Sequence, residues 1–145
     1  MTTKPVRILM VEDHAPDVFL VQKALRENQV AFELTRFEDG EQAMLAIQKR
    51  GPVTLGMPDL IILDLNLPKV DGMEILREIR KDPTMNKVPI AILTSSGALQ
   101  DKVEAIASGA DRFITKPVDL RSFVGTVGRS IKELIEQGPS MSHAV

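Results

Sequence analysis

The chain reads as an α/β protein with a doubly wound, mainly parallel sheet, and three observations lead there. Short apolar runs alternate with longer amphipathic segments along its 145 residues, as repeated βα units require. Two of the short runs, Leu60 to Leu63 and Ile90 to Leu93, are apolar throughout, which suits strands covered on both faces. Three strand-like runs end in charge: Arg7 to Val11 in Glu12-Asp13, Leu60 to Leu63 in Asp64, and Phe113 to Thr115 in Lys116-Pro117. In a parallel sheet the C-terminal strand ends share one edge, and ligands bind along that edge.

The elements follow in order. Arg7 to Val11 is the first strand. Pro16 fits the first turn of a helix, with Asp17 near its positive end and Val18, Val21 and Leu25 on one face. Phe32 to Phe37 alternates apolar and polar residues and predicts a half-exposed edge strand. Asp39-Gly40 turns the chain into a helix that faces Ala43, Met44 and Ile47 inward, and Gly51 to Pro58, with two Gly and two Pro, is a loop. After the strand Leu60 to Leu63 comes a loop, Asn66 to Gly72. The next helix has Ile75, Leu76 and Ile79 inside and Glu74, Arg77, Glu78 and Lys81 outside, and Asp82-Pro83 stops it. Ile90 to Leu93 runs into Thr94-Ser95-Ser96-Gly97. Leu99, Val103 and Ile106 define the fourth helix, and Gly109 suits its C-terminal cap. Phe113 to Thr115 is the fifth strand. In the last helix Leu120, Phe123, Val124, Val127, Ile131, Leu134 and Ile135 recur at helical spacing, Asp119 is placed to cap the start, and Gly138-Pro139 ends it. One domain over 1–137 with a loose tail over 138–145 is expected.

Composition narrows the chemistry. A net charge of −2 offers no global attraction to DNA or membrane, and the absence of Tyr and Trp removes most base-stacking side chains. No apolar run approaches a membrane span, and Met1 to Lys4 is too short and polar for a leader, so the cytoplasm is expected. With no Cys and only His14 and His143, thiolate and His-rich metal sites are excluded. The strand ends instead gather three carboxylates, Glu12, Asp13 and Asp64, with one ammonium, Lys116. Clustered carboxylates repel unless a hard cation holds them, which points to Mg²⁺, and the Lys suits a phosphoryl group.

Val-Glu-Asp at 11–13, Asp-Leu-Asn-Leu-Pro at 64–68, Asp-Gly at 71–72, Leu-Thr-Ser-Ser at 93–96 and Lys-Pro at 116–117 together resemble the receiver domain of two-component response regulators, from about Arg7 to Gln137. The resemblance implies a flavodoxin-like receiver fold, five strands in the order 2-1-3-4-5 with five helices. It implies that Asp64 is the phosphoacceptor, and that Glu12, Asp13, Asp64 and the backbone carbonyl of Asn66 hold Mg²⁺. Lys116 would pair with a phosphoryl oxygen, from a cis Lys116-Pro117 bond. Thr94 would hydrogen-bond the phosphoryl group, and Phe113, at the aromatic switch position, would move inward as Thr94 shifts. The side chains of Asn66 and Ser96 would border the path of hydrolytic water. His14, in a loop, reads as a surface residue.

The implied activity is phosphoryl transfer from a sensor histidine kinase to Asp64, signalled through the fourth helix, fifth strand and fifth helix, without enzymatic turnover. The Asp-Leu-Asn-Leu-Pro run, the long loop before the third strand and the extended last helix are similar to short stand-alone regulators that partner phytochrome-type histidine kinases. Such relatives often form homodimers through the last strand and helix, and the resemblance extends that expectation to this chain. Ile131, Leu134 and Ile135 either serve as that seam or cover the monomer's own sheet. A phosphorelay shuttle and a degenerate docking receiver are the alternatives. A haloacid-dehalogenase-type phosphatase would want an acid at position 66, which is Asn66, and a nucleotide-binding domain would want Gly, Ser or Thr where Glu12-Asp13-His14 stands.

Overall fold

The computed structural model describes residues 4–49 and 56–139. Five strands, β1 (Val6–Val11), β2 (Phe32–Phe37), β3 (Leu60–Leu63), β4 (Ile90–Thr94) and β5 (Arg112–Thr115), alternate with α1 (Ala15–Glu27), α2 (Gly40–Ile47), α3 (Gly72–Lys81), α4 (Leu99–Ala107) and a final helix α5. That last helix begins at Leu120–Ser122, passes through a π-helical turn at Phe123–Val127, and continues as Gly128–Gln137. The strands pair in parallel in the order β2-β1-β3-β4-β5, as the resemblance implied. The long loop before β3 lies partly outside the described residues at 50–55, while Gly56 to Pro58 carries no helix or strand; the expected tail beyond Pro139 and the first three residues also lie outside them.

Successive residues of each inner strand feed opposite faces of the sheet, so two cores form. Leu9, Val11, Ile61, Leu63 and Ile92 pack with Ala43, Ile47, Ile75, Leu76 and Ile79. Ile8, Met10, Leu60, Ile62 and Leu93 pack with Val18, Val21 and Leu25 of α1 and with Phe123, Val127, Ile131 and Leu134 of α5. Each buried Val, Leu, Ile, Met or Phe among them contributes roughly 1.5–3 kcal/mol by leaving water. Ile131 and Leu134 are therefore spent on the monomer's own core, with the half-buried Ile135 packed beside them. Ile131 and Leu134 thus cover the sheet, whereas Ile135 does so in part.

One expectation needs correction, and one helix gains an orientation that the sequence left open. The apolar period of α4 marks a helix as expected, and its stripe faces out: Leu99, Val103 and Ile106 are 74, 59 and 42 % exposed, and Ala105 is the residue of that helix that is buried. Periodicity identifies an apolar face without saying what lies opposite it. The Lys116-Pro117 bond is trans, not cis. The inward aim of Lys116 has another source, since its N–H donates to the Thr94 carbonyl (2.7 Å) and its side chain reaches three carboxylates. The π turn explains a smaller departure. An extra residue per turn breaks the period of α5, so Leu120 is exposed and Val124 half-buried while Phe123 and Val127 are inside.

Registry places the site. Val11 pairs with Leu63 and Phe37, Leu63 with Ile92, and Thr94 with Thr115. The next residue along β1, β3 and β5 is Glu12, Asp64 and Lys116, so these side chains leave the sheet in one row, with Thr94 ending β4 among them.

Candidate phosphoryl-acceptor and metal site

Asp64 is held by the backbone around it. Its N–H donates to the Val11 carbonyl (3.1 Å), and its Oδ1 accepts from the Asn66 N–H (3.1 Å). The helix α3 starts hard against it. A Cβ on Gly72 would stand 2.1 Å from the Asp64 carbonyl oxygen, so the Asp71-Gly72 pair is needed for this approach, with Asp71 capping the helix through the Met73 N–H (2.9 Å). Gly40, at the start of α2, makes a similar close approach to Val70 and ties the same loop down by donating to the Pro68 carbonyl (3.2 Å).

Glu12 is 1 % exposed, and its Oε2 accepts from the His14 N–H (3.2 Å). Its Oε1 lies 2.9 Å from Lys116 Nζ, but the buried oxygen has no aligned hydrogen bond. Burial pushes the Glu12 carboxyl up to about 7; the Asp64 charge adds to this and Lys116 opposes it. Lys116 Nζ hydrogen-bonds Asp64 Oδ2 at 2.9 Å and stands 2.8 Å from Asp17 Oδ2. Burial alone would lower its ammonium, yet the Asp17, Glu12 and Asp64 carboxylates outweigh that and raise it.

The expected ligand trio converges. Oxygens of Glu12, Asp13 and Asp64 lie within 4.8 Å of one another, with Asp13 exposed at the mouth and the other two buried. An acidic, all-oxygen set with a buried oxygen short of a hydrogen bond fits a hard divalent cation. Asn66 stands at the same edge, exposed, and its side-chain amide donates to Thr94 Oγ1 (3.4 Å), a contact the sequence did not announce. Thr94 is fully buried and also accepts from the Ser96 N–H (3.4 Å). Ser96 is turned away: its hydroxyl bonds Asp101, and Ser95 rather than Ser96 lines the cleft. Phe113 is half-buried against the core beneath α3 and α4. His14 is exposed, as expected, though Nδ1 reaches Asp17 at 3.1 Å.

Two residues that sequence reasoning did not place at the site are there. Asp17, read as a helix-dipole residue, is the third carboxylate on Lys116. Arg36 of β2 donates to the backbone carbonyls of Glu12 (3.0 Å) and Asp13 (3.2 Å) and fixes the turn that carries the acidic pair. Only the β1–β2 pairing reveals Arg36, because it lies 24 residues from Glu12. Asp17 lies close to the acidic pair in sequence, but no motif spacing marks it as a site residue.

The model of the response regulator receiver domain matches residues 8–127. Response regulator Rcp1 of Synechocystis sp. is 37 % identical over 118 residues, 81 % of this chain and 80 % of Rcp1. The Mn²⁺-bound form of Rcp1 superposes with TM-score 0.84 at 34 % identity, covering 91 % of this chain and 96 % of that one. The phosphorylated cyanobacterial phytochrome response regulator RcpA gives 0.83 at 34 %, covering 92 % and 95 %. The receiver domain of sensor histidine kinase PA1611 from Pseudomonas aeruginosa, with magnesium coordinated in its active-site cleft, gives 0.71 at 26 %, covering 92 % and 99 %. With matched motifs, strand order and converged carboxylates in agreement, the chain belongs to the receiver-domain family of two-component response regulators.

Proposed function

We propose that this receiver acts as a stand-alone response regulator that takes a phosphoryl group onto Asp64 from a sensor histidine kinase in an Mg²⁺-dependent step. The observation that carries the reading is the meeting of Asp64 with Lys116 Nζ at 2.9 Å, beside Glu12 and Asp13. An ionised Asp64 carboxylate attacks phosphorus as the P–N bond of phosphohistidine breaks; the electron pair stays on the departing imidazole, which takes up a proton. No general base is required, because the nucleophile is already an anion. Glu12, Asp13 and Asp64 would hold the cation, with Asn66 offering its carbonyl; bound there, Mg²⁺ neutralises charge on the transferring group. Lys116 supplies the second positive charge from a fixed position.

Thr94 is suited to read the product. Its buried Oγ1 makes two long hydrogen bonds at 3.4 Å, and exchanging them for a charged phosphoryl oxygen gains strength. Its movement would open space toward Phe113 and shift α4, β5 and α5. The exposed Leu99, Val103 and Ile106 of α4 give that surface an apolar contact face. The partner class is a phytochrome-type histidine kinase, supported by the similarity to the cyanobacterial phytochrome response regulator RcpA. No described helix is long and apolar enough to cross a membrane, in keeping with a cytoplasmic place beside the kinase domain. The step is a single acceptance and release of phosphate rather than turnover, so incubation with phosphate esters should give no sustained hydrolysis.

Asp64→Asn tests the assignment. Incubated with acetyl phosphate and Mg²⁺, the parent chain should gain one phosphoryl group by intact mass, lost on addition of EDTA before the donor, and the variant should gain none. A stable adduct on the variant would move the acceptor elsewhere.

A further inference from the structure

The Lys116 ammonium meets three carboxylates, Glu12 Oε1 at 2.9 Å, Asp64 Oδ2 at 2.9 Å and Asp17 Oδ2 at 2.8 Å. Two of these belong to the cation-binding trio; Asp17 does not. A divalent cation held by Glu12, Asp13 and Asp64 therefore takes up the negative charge that Lys116 otherwise neutralises, and it repels the ammonium as well. Asp17 is then the carboxylate left to hold Lys116 in place. The side chain is built for that task. It is 15 % exposed, rises from the first turn of α1, and has His14 Nδ1 3.1 Å from its Oδ2. The helix is anchored in turn by Val18, Val21 and Leu25 in the core.

We propose that Asp17 is a positioning residue for Lys116: it keeps the ammonium aimed at the phosphoryl site once the cation has claimed the other two carboxylates. The inference rests on the receiver reading of this site. It acts through Lys116 and assigns Asp17 no contact with the transferring group. It also predicts an asymmetry. In the metal-free chain Glu12 and Asp64 suffice to hold Lys116, so loss of Asp17 matters little; in the metal-loaded chain it matters greatly.

The test uses Asp17→Asn, which keeps the shape and removes the charge. Side-chain NMR of the lysine ammonium groups, with Lys116 identified by its disappearance in Lys116→Arg, is followed as Mg²⁺ alone is added. The parent chain should retain a distinct, slowly exchanging Lys116 signal at saturation. In Asp17→Asn the signal should be present without metal and merge with those of solvent-exposed lysines when Mg²⁺ binds. Modification by acetyl phosphate should slow by on the order of tenfold to a hundredfold, with an unchanged unfolding midpoint. A Lys116 signal equally ordered in the metal-loaded variant would overturn the proposal, as would faster modification, since Asp17 would then only repel the incoming anion. Because the ammonium readout needs metal but no phosphoryl transfer, it fails independently of the Asp64 assignment.

Discussion

At the scale of single residues, the site is governed by charges that must be compensated at close range. Glu12 shows this most clearly. Its carboxyl is pushed up to about 7 from an ordinary 4.5, chiefly by burial. The folded state therefore holds this proton more tightly than the unfolded chain does. The stabilisation it contributes is complete below about 4.5 and is lost as pH rises through about 7. A cation has the opposite preference, for the ionised form. Without metal, the part of the stability that depends on this group should fall between pH 5 and 8, and Glu12→Gln should flatten it in urea titrations. Mg²⁺ affinity should rise over the same interval, with protons released on binding. Calorimetry in buffers of different ionisation heat reads both, and is the practical method because the chain has no Trp or Tyr to report by fluorescence. Asp17 and Arg36 were hidden at this scale for a simple reason. A side chain's partner is fixed by tertiary approach, and neither residue sits inside a motif whose spacing announces its role.

At the scale of elements, one buried contact and one exposed face decide behaviour that periodicity could not. The C-terminal end of α3 is locked to the segments leading into β4 and β5 by Arg80, which donates to the carbonyls of Gly109 (2.9 Å), Asn86 (2.9 Å) and Val88 (2.7 Å) and to Asp111 Oδ2 (2.9 Å). Asp111 in turn accepts from the Ile90 N–H at the start of β4 (2.9 Å). The Arg80–Asp111 pair is mostly buried, so Arg80→Met leaves carbonyls and a carboxylate short of donors. We expect a loss of about 3 kcal/mol or more, read as a lower urea midpoint, with the distant phosphoacceptor site still able to bind Mg²⁺. The α4 helix behaves oppositely. Its apolar stripe is on the surface, so Val103→Ser should change stability by no more than about 0.5 kcal/mol. The same substitution should weaken whatever contact the phosphorylated chain makes through that face, measured as reduced capture of its output partner. A large loss of stability would show that the stripe is packed after all.

At the scale of the whole molecule, much of the architecture could be read from the chain because each level agrees with the next. The all-apolar runs of β3 and β4 required a sheet covered on both sides, the alternation in β2 required an edge, and the observed order β2-β1-β3-β4-β5 meets both demands. Charged residues that interrupt this consistency, at the ends of β1, β3 and β5, are the ones that meet at the site. The missed features are those where local pattern and global packing separate: the outward stripe of α4, the π turn that displaces Leu120, and the trans peptide before Pro117. None of them alters which side chains converge. The convergence depends on strand registry, and the registry is set by the cores on either face of the sheet.

Acyl phosphates are reduced by hydride donors, which leaves a permanent mark at the acceptor. Treatment of the acetyl phosphate- and Mg²⁺-exposed chain with borohydride, followed by peptide mapping, therefore identifies the phosphorylated carboxylate directly. Asp64 should be reduced to homoserine, dependent on both reagents, with Glu12, Asp13 and Asp17 untouched. Reduction at any of those three carboxylates, or no reduction under conditions that modify a known receiver, would contradict the assignment of Asp64.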